Sequence, residues 1–424
     1  MSASSPGSAQ RPAGSGDRPH VVVGVAGGIA AYKACELVRR FTESGHDVTV
    51  VPTAAALEFV GAATWAALSG RPVSTDVWTG VHEVPHVRLG QSADLVVVAP
   101  ATADLLARAA HGLADDLLTS TLLTARCPVV LAPAMHTEMW EHPATTANVA
   151  TLRDRGVLVV EPAEGRLTGA DSGKGRLPDP GEIFAVALDV LSRAAAGPAA
   201  ALDLAGRHVV VSAGGTREYL DPVRFLGNRS SGRQGYALAR AAVARGAEVT
   251  LVAANVELPD PAGAKVVRVE TTRQLQEQVL AACVAADAVV MAAAPADFRP
   301  ESSSGTKIKK SPDGTAPTVA LTQNPDILAG LAADRPNARI VVVGFAAETG
   351  DETGSVMEHA RAKLARKGCD LLVVNDVSGG QVFGSDENEA VVLGADGAAT
   401  PVPRGAKSVV AHVVWDRVAA LLED

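Results

Sequence analysis

Between Gly214 and Gly235 the chain reads GGTREYLDPVRFLGNRSSGRQG: four arginines, one glutamate, one aspartate, one asparagine and five glycines. In a sequence that is 47% hydrophobic, so polar a stretch beside the strand-like run HVVVSA needs a reason. Arginine grips carboxylate or phosphate through two parallel N–H donors. Successive backbone N–H groups in a glycine turn cradle phosphate. The excursion carries Asp221, Arg224, Asn228 and Arg229, so its arginines can bind an anionic substrate and Asn228 can orient an acyl group. A solvated surface loop is the plainer alternative, and the number of anion ligands beside one strand end weighs against it.

A second set of residues lies in the first half. GVAGGIAAYKA ends a strand, turns on glycines and opens a helix, so its N–H groups can receive a phosphate. A dinucleotide site would carry an acid on the next strand for the ribose. That strand ends VVPTAAA, with Thr53 instead, which favours a mononucleotide held by Gly28 and Thr53. In APATADLLARAA, Thr102 and Asp104 are first of all helix caps. LAPAMHTEMW sets two methionines, His136 and Trp140 directly after a strand and before a polar run, as a ligand rim would. His86 is one of several histidines, with His82, His111 and His136, among which periodicity does not choose. SSSGTKIKK is a flexible, basic run whose simplest reading is a solvated surface.

The elements that must position these residues are strands and helices in alternation. The first half contributes HVVVGV, DVTVVPT, ADLVVVAPAT, CPVVLAPAM and GVLVVEP. The second contributes HVVVSA, EVTLVAAN, KVVRVET, AVVMAAAPAD, RIVVVGFAAET and DLLVVNDV. Nearly continuous apolar strands that end in small or polar loops imply parallel sheets covered on both faces. Ligands of such sheets bind at the carboxyl ends of the strands, where all the strings above lie. The expected class is α/β, with two doubly wound, Rossmann-like domains. The boundaries are a disordered tail at 1–19, a first domain at 20–195, a linker at 196–206 and a second domain at 207–424. The small-residue string SRAAAGPAAALDLAG supplies the linker.

Composition narrows the rest. A chain of 424 residues exceeds what one core usually serves. The net charge of −9 excludes a nucleic-acid binder dominated by a basic surface. Cys35, Cys127, Cys283 and Cys369 have no metal or disulfide spacing, so a reducing cytoplasm fits. No apolar run reaches membrane-spanning length.

GGIAAYK, HVRLGQSADLVVVAPATAD and LAPAMHTEMW together resemble the flavin-dependent cysteine decarboxylases. The Gly214–Gly235 stretch, NPDIL and GFAAET resemble phosphopantothenate–cysteine ligases. Joined in this order, they resemble the bifunctional coenzyme A biosynthesis family, over nearly the whole chain after residue 19. The resemblance implies CTP-dependent ligation of cysteine to 4′-phosphopantothenate through an acyl-cytidylate. It then implies FMN-dependent decarboxylation of 4′-phosphopantothenoylcysteine to 4′-phosphopantetheine. Mg²⁺ is expected to arrive with CTP. The partners are small molecules and copies of the same chain, with trimeric decarboxylase and dimeric ligase contacts that together would build a dodecamer. Nucleic acid and membrane are not expected partners, and the site is cytoplasmic.

By that resemblance His86 is the catalytic histidine. Gly27, Gly28, Ile29, Ala30, Thr53, Ala101 and Thr102 form the FMN cradle. Asn228 and Arg224 serve acyl-nucleotide turnover. Met291, Ala292, Ala293, Asp297, Lys307, Asn324, Pro325, Asp326, Ile327, Phe345, Lys363 and Lys367 contact CTP, with Lys307 on the triphosphate. Two positions depart from the family pattern. His136 stands where the family has a substrate-binding asparagine, and Gly169 stands where it has a proton-donating cysteine. Candidates for that proton are Asp171, Ser172, Lys174 and, preferred, His136, because an imidazolium has a pKa near working pH. Two other readings compete: a NAD(P) oxidoreductase, opposed by the missing ribose acid, and a non-catalytic interaction protein, opposed by the intact ligase strings and His86.

Overall fold

The computed structural model describes residues 18–75, 84–167, 171–194, 202–310, 316, 318–348, 355–376 and 387–423. The first half runs β1 (His20–Val25), α1 (Ala31–Glu43), β2 (Asp47–Pro52), α2 (Ala54–Leu57), α3 (Ala62–Ser69) and α4 (Pro85–Ser92). It continues with β3 (Leu95–Ala101), α5 (Ala103–His111), α6 (Leu117–Thr124), β4 (Val129–Pro133), α7 (Thr137–Trp140), α8 (Pro143–Asp154) and β5 (Leu158–Val159). An antiparallel hairpin, β6 (Ala163–Arg166) and β7 (Ser172–Arg176), then leads into α9 (Pro180–Ala194). The five main strands are parallel in the order β2-β1-β3-β4-β5. The chain therefore reverses direction across the sheet between β1 and β3, and doubly wound sheets of this order bind ligand at that switch point. Helix α1 covers the sheet with Ala31, Ala34, Leu37, Val38 and Phe41, one face at helical spacing.

The second half runs β8 (His208–Gly214), β9 (Arg217–Tyr219), β10 (Phe225–Gly227), α10 (Arg233–Ala244), β11 (Glu248–Ala254), β12 (Ala264–Val269) and α11 (Thr272–Cys283). It continues with β13 (Ala288–Met291), β14 (Phe298–Pro300), β15 (Leu321–Gln323), α12 (Ile327–Ala333), β16 (Val341–Glu348), α13 (Val356–Lys367), β17 (Leu371–Asp376), β18 (Glu387–Gly394), β19 (Ala399–Ala406) and α14 (Lys407–Glu423). Its sheet is ordered β12-β11-β8-β13-β16-β17-β18-β19. The first six strands are parallel and the last two antiparallel. In chain order the parallel part reads 3-2-1-4-5-6, with its switch point between β8 and β13. The two antiparallel strands at the edge were not read from the sequence. Pro401 and Pro403 lie in β19, the outermost strand, where a missing N–H costs no ladder bond.

The halves are not loosely tethered. α10 is buried almost all round, from Gly235 to Ala244 apart from Arg240, because it is wedged between its own sheet, α14 and α9 of the first half. Arg240 reaches Glu182 on α9 at 2.7 Å. Arg245 is fully buried and binds Asp203 together with Asp416, the latter at 2.8 Å. Arg193 joins the same two carboxylates at 3.1 and 3.3 Å. The expected linker at 196–206 thus differs from what is seen in its described part. Leu204 is fully buried and Asp203 is a charge partner, so 202–206 is built into the packing. The remainder of that linker, and residues 1–17 of the expected tail, lie outside the described residues.

Candidate functional site

At the first switch point, backbone hydrogen bonds fasten consecutive strand ends side by side. Thr53 N donates to Val25 O at 2.9 Å, Ala26 N to Pro100 O at 3.1 Å and Ala134 N to Ala101 O at 3.1 Å. This brings together Gly27–Ala30 after β1, Thr53 after β2, Ala101 and Thr102 after β3, and the Ala134–His136 loop after β4. Thr102 is a helix cap as expected, accepting from Leu105 N at 3.3 Å, with Asp104 in the first turn rather than capping; Thr53 caps α2 as well, accepting from Ala56 N at 3.2 Å. Capping leaves each hydroxyl proton available to a ligand. A Cβ on Gly27 would lie 2.4 Å from the Ala55 Cβ, so the turn admits no side chain. Gly28 keeps open space, the nearest atom to a Cβ there being Thr102 Cγ2 at 3.7 Å, and Ile29 is 73% exposed beside it. A bare, N–H-rich turn at a switch point with an apolar side chain over it suits the phosphate and ring of a flavin mononucleotide.

His86 is held from its backbone. Its carbonyl accepts from Thr124 Oγ1 at 2.8 Å. Gly90, one turn on, lets α4 lie directly against Thr124 of α6, with no room for a Cβ. The His86 Nδ1 is buried and has no hydrogen-bond partner among the described residues. An orphaned buried ring nitrogen is costly unless a ligand completes it. This singles out His86 where spacing could not: His111 and His136 are exposed, and His82 lies outside the described residues.

His136 precedes α7 without capping it, and its ring makes no hydrogen bond to a described residue. The β6–β7 hairpin folds back onto this loop, and Met135 N donates to Gly175 O at 2.9 Å. The expected cysteine position, Gly169, lies outside the described residues. Of the other proton candidates, Lys174 is engaged with Glu161 at 2.5 Å, while Asp171 and Ser172 are exposed. Burial pushes the Glu161 carboxyl up, but hydrogen bonds from Arg153 and Lys174 outweigh it and hold the group below its usual range. Lys33, one turn into α1, went unread in the sequence. Burial and then the neighbouring Arg176 of β7 push its ammonium down, against Asp179, which raises it.

At the second switch point, the β8 and β13 loops are interlocked. Ala294 N donates to Gly214 O at 2.8 Å and Ala293 N to Ser212 Oγ at 3.1 Å. Asn228 lies across this junction: its Nδ2 donates to Pro295 O at 2.8 Å. Gly215 sits so close that a Cβ would be 2.5 Å from Asn228 O. Asn324 N donates to Asp297 O at 2.8 Å, joining the NPDI turn to the same loop. Met291 pairs in register with Gly344, so Phe345 lies one residue beyond, with Ala292 and Ala293 across from it. Asp326 caps α12 and binds Lys367 of α13. Burial raises the Asp326 carboxyl, and Lys367 and the Ala329 N–H more than reverse this. Lys363 lies one turn before Lys367 on α13.

Arg224 is occupied differently from the expectation for a group facing substrate. Its guanidinium binds Asp221 through Nε at 3.0 Å and through Nη2, and donates to Ile308 O at 2.8 Å. Asp221 is fully buried and also accepts Ile308 N at 3.1 Å, and Arg224 holds its carboxyl far below the usual range. The pair clamps the backbone next to Lys307, so that basic run is pinned at Ile308 while Lys307 itself remains exposed. A cleft of about 470 Å³ opens beside Asn324 and Pro325, lined also by Arg273, Gln276, Arg299 and Gln323. Thr216, Glu218 and Thr272, buried beneath it, carried no sequence signal beyond being polar.

Residues 10–192 match the family model described as flavoprotein, and residues 204–422 match the DNA/pantothenate metabolism flavoprotein C-terminal domain. The coenzyme A biosynthesis bifunctional protein CoaBC of Mycobacterium tuberculosis is 60% identical over 408 residues, covering 95% of this chain and 96% of that protein. The Bacillus subtilis protein of the same name is 40% identical over 406 residues, covering 95% and 97%. A solved structure of the C-terminal domain of a CoaBC protein aligns at 33% identity with a TM-score of 0.44, covering 53% of this chain and 99% of that one. No helix among the described residues is long and apolar enough to cross a membrane.

Proposed function

The chain belongs to the family of bifunctional coenzyme A biosynthesis proteins, and from that premise we propose how its two halves divide the work. It is a two-domain α/β enzyme of coenzyme A biosynthesis that carries a ligation and a decarboxylation, the latter in a flavoprotein half. The observation that carries the residue-level reading is the interlocking of strand-end loops at each switch point, which gathers Gly27, Thr53 and Thr102 in one half and Asn228, Asp297 and Asn324 in the other.

In the ligase half the carboxylate of 4′-phosphopantothenate attacks the α-phosphorus of CTP, and pyrophosphate leaves. The cysteine amine then attacks the acyl carbon, CMP leaves, and the amine gives up a proton. Asn228 orients the acyl group above Gly215. Lys307 meets the triphosphate, and Arg224, through Asp221, holds the Lys307 segment in reach. Mg²⁺ arriving with the nucleotide would supply charge neutralisation at the triphosphate. Met291–Ala293, Asn324–Ile327, Phe345, Lys363 and Lys367 form the nucleotide pocket.

In the decarboxylase half the cradle of Gly27–Ala30, Thr53, Ala101 and Thr102 holds FMN. FMN held there would supply reversible two-electron chemistry at the substrate's thiol end. His86 uses its unpaired Nδ1 to receive the thiol proton or the carboxylate. His136 contacts substrate under the β6–β7 hairpin, which excludes water. The chain works in the cytoplasm as a homo-oligomer. Exposed Tyr32, Leu123, Phe225 and Phe298 support association, and a dodecamer of trimers and dimers is the assembly we infer.

Asn228→Ala and Lys307→Ala test the division. Each should lower ligation at least tenfold while decarboxylation of supplied 4′-phosphopantothenoylcysteine stays within twofold of wild type. Equal loss of both activities in a folded protein contradicts it.

A further inference from the structure

Beneath the ligase loops lies a chain of buried side chains whose hydrogen bonds run in one direction. Thr216, Glu218, Thr272 and Asn324 are 1%, 5%, 0% and 7% exposed. Glu218 Oε1 accepts from Thr272 N at 2.9 Å and Thr272 Oγ1 at 2.8 Å. A carboxylate only accepts, so Thr272 must give its single hydroxyl proton to Glu218. The 2.9 Å bond between the Thr216 and Thr272 hydroxyls therefore has Thr216 as donor. Thr216 Oγ1 in turn accepts Ala296 N at 2.9 Å. Asn324 Nδ2 donates to Thr272 Oγ1 at 3.3 Å and to Ala296 O at 2.9 Å, while its Oδ1 accepts from Arg299 at 3.0 Å. The Thr272 hydroxyl is saturated, and both Asn324 amide protons are placed on acceptors while its Oδ1 faces a donor, so the amide has one orientation.

We propose that Thr272, with Glu218 as terminal acceptor, is a positioning residue of the ligase half that fixes the NPDI turn and the Ala294–Ala296 backbone against the β8 loop, in the geometry that receives the nucleotide. Its hydroxyl joins Thr216 and Glu218 of the Gly215–Glu218 loop to Asn324 of the turn before α12, and those two partners, Thr216 and Asn324, hold Ala296 of the β13–β14 loop from either side. Removing the hydroxyl leaves Asn324 and Thr216 each with a donor unplaced in a dry site, and the turn relaxes. The inference rests on the reading that Met291–Asp297 and Asn324–Ile327 bind a nucleoside triphosphate.

Thr272→Val keeps the shape and removes the hydroxyl. It is expected to raise the KM for the nucleotide about tenfold, leave the KM for 4′-phosphopantothenate within twofold, and leave decarboxylation unaltered. Thr272→Ser restores the hydroxyl and should return the nucleotide KM to within twofold of wild type. Thr216→Val, removing the next link, should raise the same constant, so one folded variant of the pair suffices. An unchanged nucleotide KM in a folded Val variant overturns the proposal. So does a Ser variant as impaired as the Val variant, or equal rises in both KM values, which would mark a packing effect. The constants are measured with whichever triphosphate the wild type turns over. A wild type that ignores CTP and uses ATP would therefore overturn the nucleotide assignment while still testing the network.

Discussion

Gly175 lies against Met135 so closely that a Cβ on it would sit 2.2 Å from the Met135 carbonyl oxygen. Gly173, two residues earlier, is likewise set over Thr137, with a Cβ 2.4 Å from Oγ1. The hairpin and the His136 loop are therefore one surface. Gly175→Ala should lift the hairpin off that loop, at a cost of about 1–3 kcal/mol in stability. Decarboxylation should fall at least tenfold, with ligation within twofold. A melting curve and the two separate assays check this; an alanine variant that decarboxylates normally would mean the hairpin contact has no part in the site.

The same surface bears on the absent cysteine. With Gly169 in its place and Lys174 tied to Glu161, His136 is the group we assign to the final proton transfer. His136→Asn should still release CO₂ but leave a product two hydrogens lighter than 4′-phosphopantetheine by mass spectrometry, at up to one equivalent per flavin, or beyond that only with dioxygen as the electron acceptor. Ordinary product at the wild-type rate would move the donor to Asp171, Ser172 or water.

His86→Asn separates chemistry from cofactor retention. The cradle does not include His86, so the purified variant should keep its flavin absorbance and lose CO₂ release by more than a hundredfold. A colourless, folded variant would make His86 a cofactor-binding residue instead.

The hairpin anchor also has a pH signature. Glu161 has a folded pKa below its ordinary 4.5. Its stabilising contribution is therefore complete above the unfolded value and is lost as pH falls through the folded one. Between pH 5 and 9 the anchor should not titrate. Glu161→Gln should lower the melting temperature in that range and shrink the difference from wild type below pH 4, as followed by circular dichroism. A variant deficit that grows on acidification would reverse the sign.

Much of the fold was legible because the sequence repeats one local grammar. Valine runs such as His20–Val25 and His208–Gly214 end in glycine turns, which fixes parallel strands and puts the ligand residues at their carboxyl ends. The strand-end position of the candidate site was legible where backbone chemistry dictates residue type, as at Gly28 and Thr53. It was not legible where the decisive contact is distant. Nothing local marks His86 over His111, since what distinguishes it is a buried Nδ1 with no hydrogen-bond partner among the described residues. Arg224 reads as an anion ligand, and its hold on Asp221 and Ile308 O is a contact the sequence does not announce. Asp203 sits in a string of small residues that reads as a linker, and its partner Arg245 is 42 residues away. The β18–β19 hairpin was missed although Gly394–Gly397 offers a turn, because its alternation is weak.

The central claim is that this one chain both ligates and decarboxylates, and incubation of the purified protein with 4′-phosphopantothenate, cysteine, CTP and Mg²⁺ tests it most directly. Mass spectrometry should find 4′-phosphopantetheine, with CMP, pyrophosphate and CO₂ released in equal amounts and nothing formed when CTP is omitted. Accumulation of 4′-phosphopantothenoylcysteine without CO₂, or no consumption of CTP, would contradict the account.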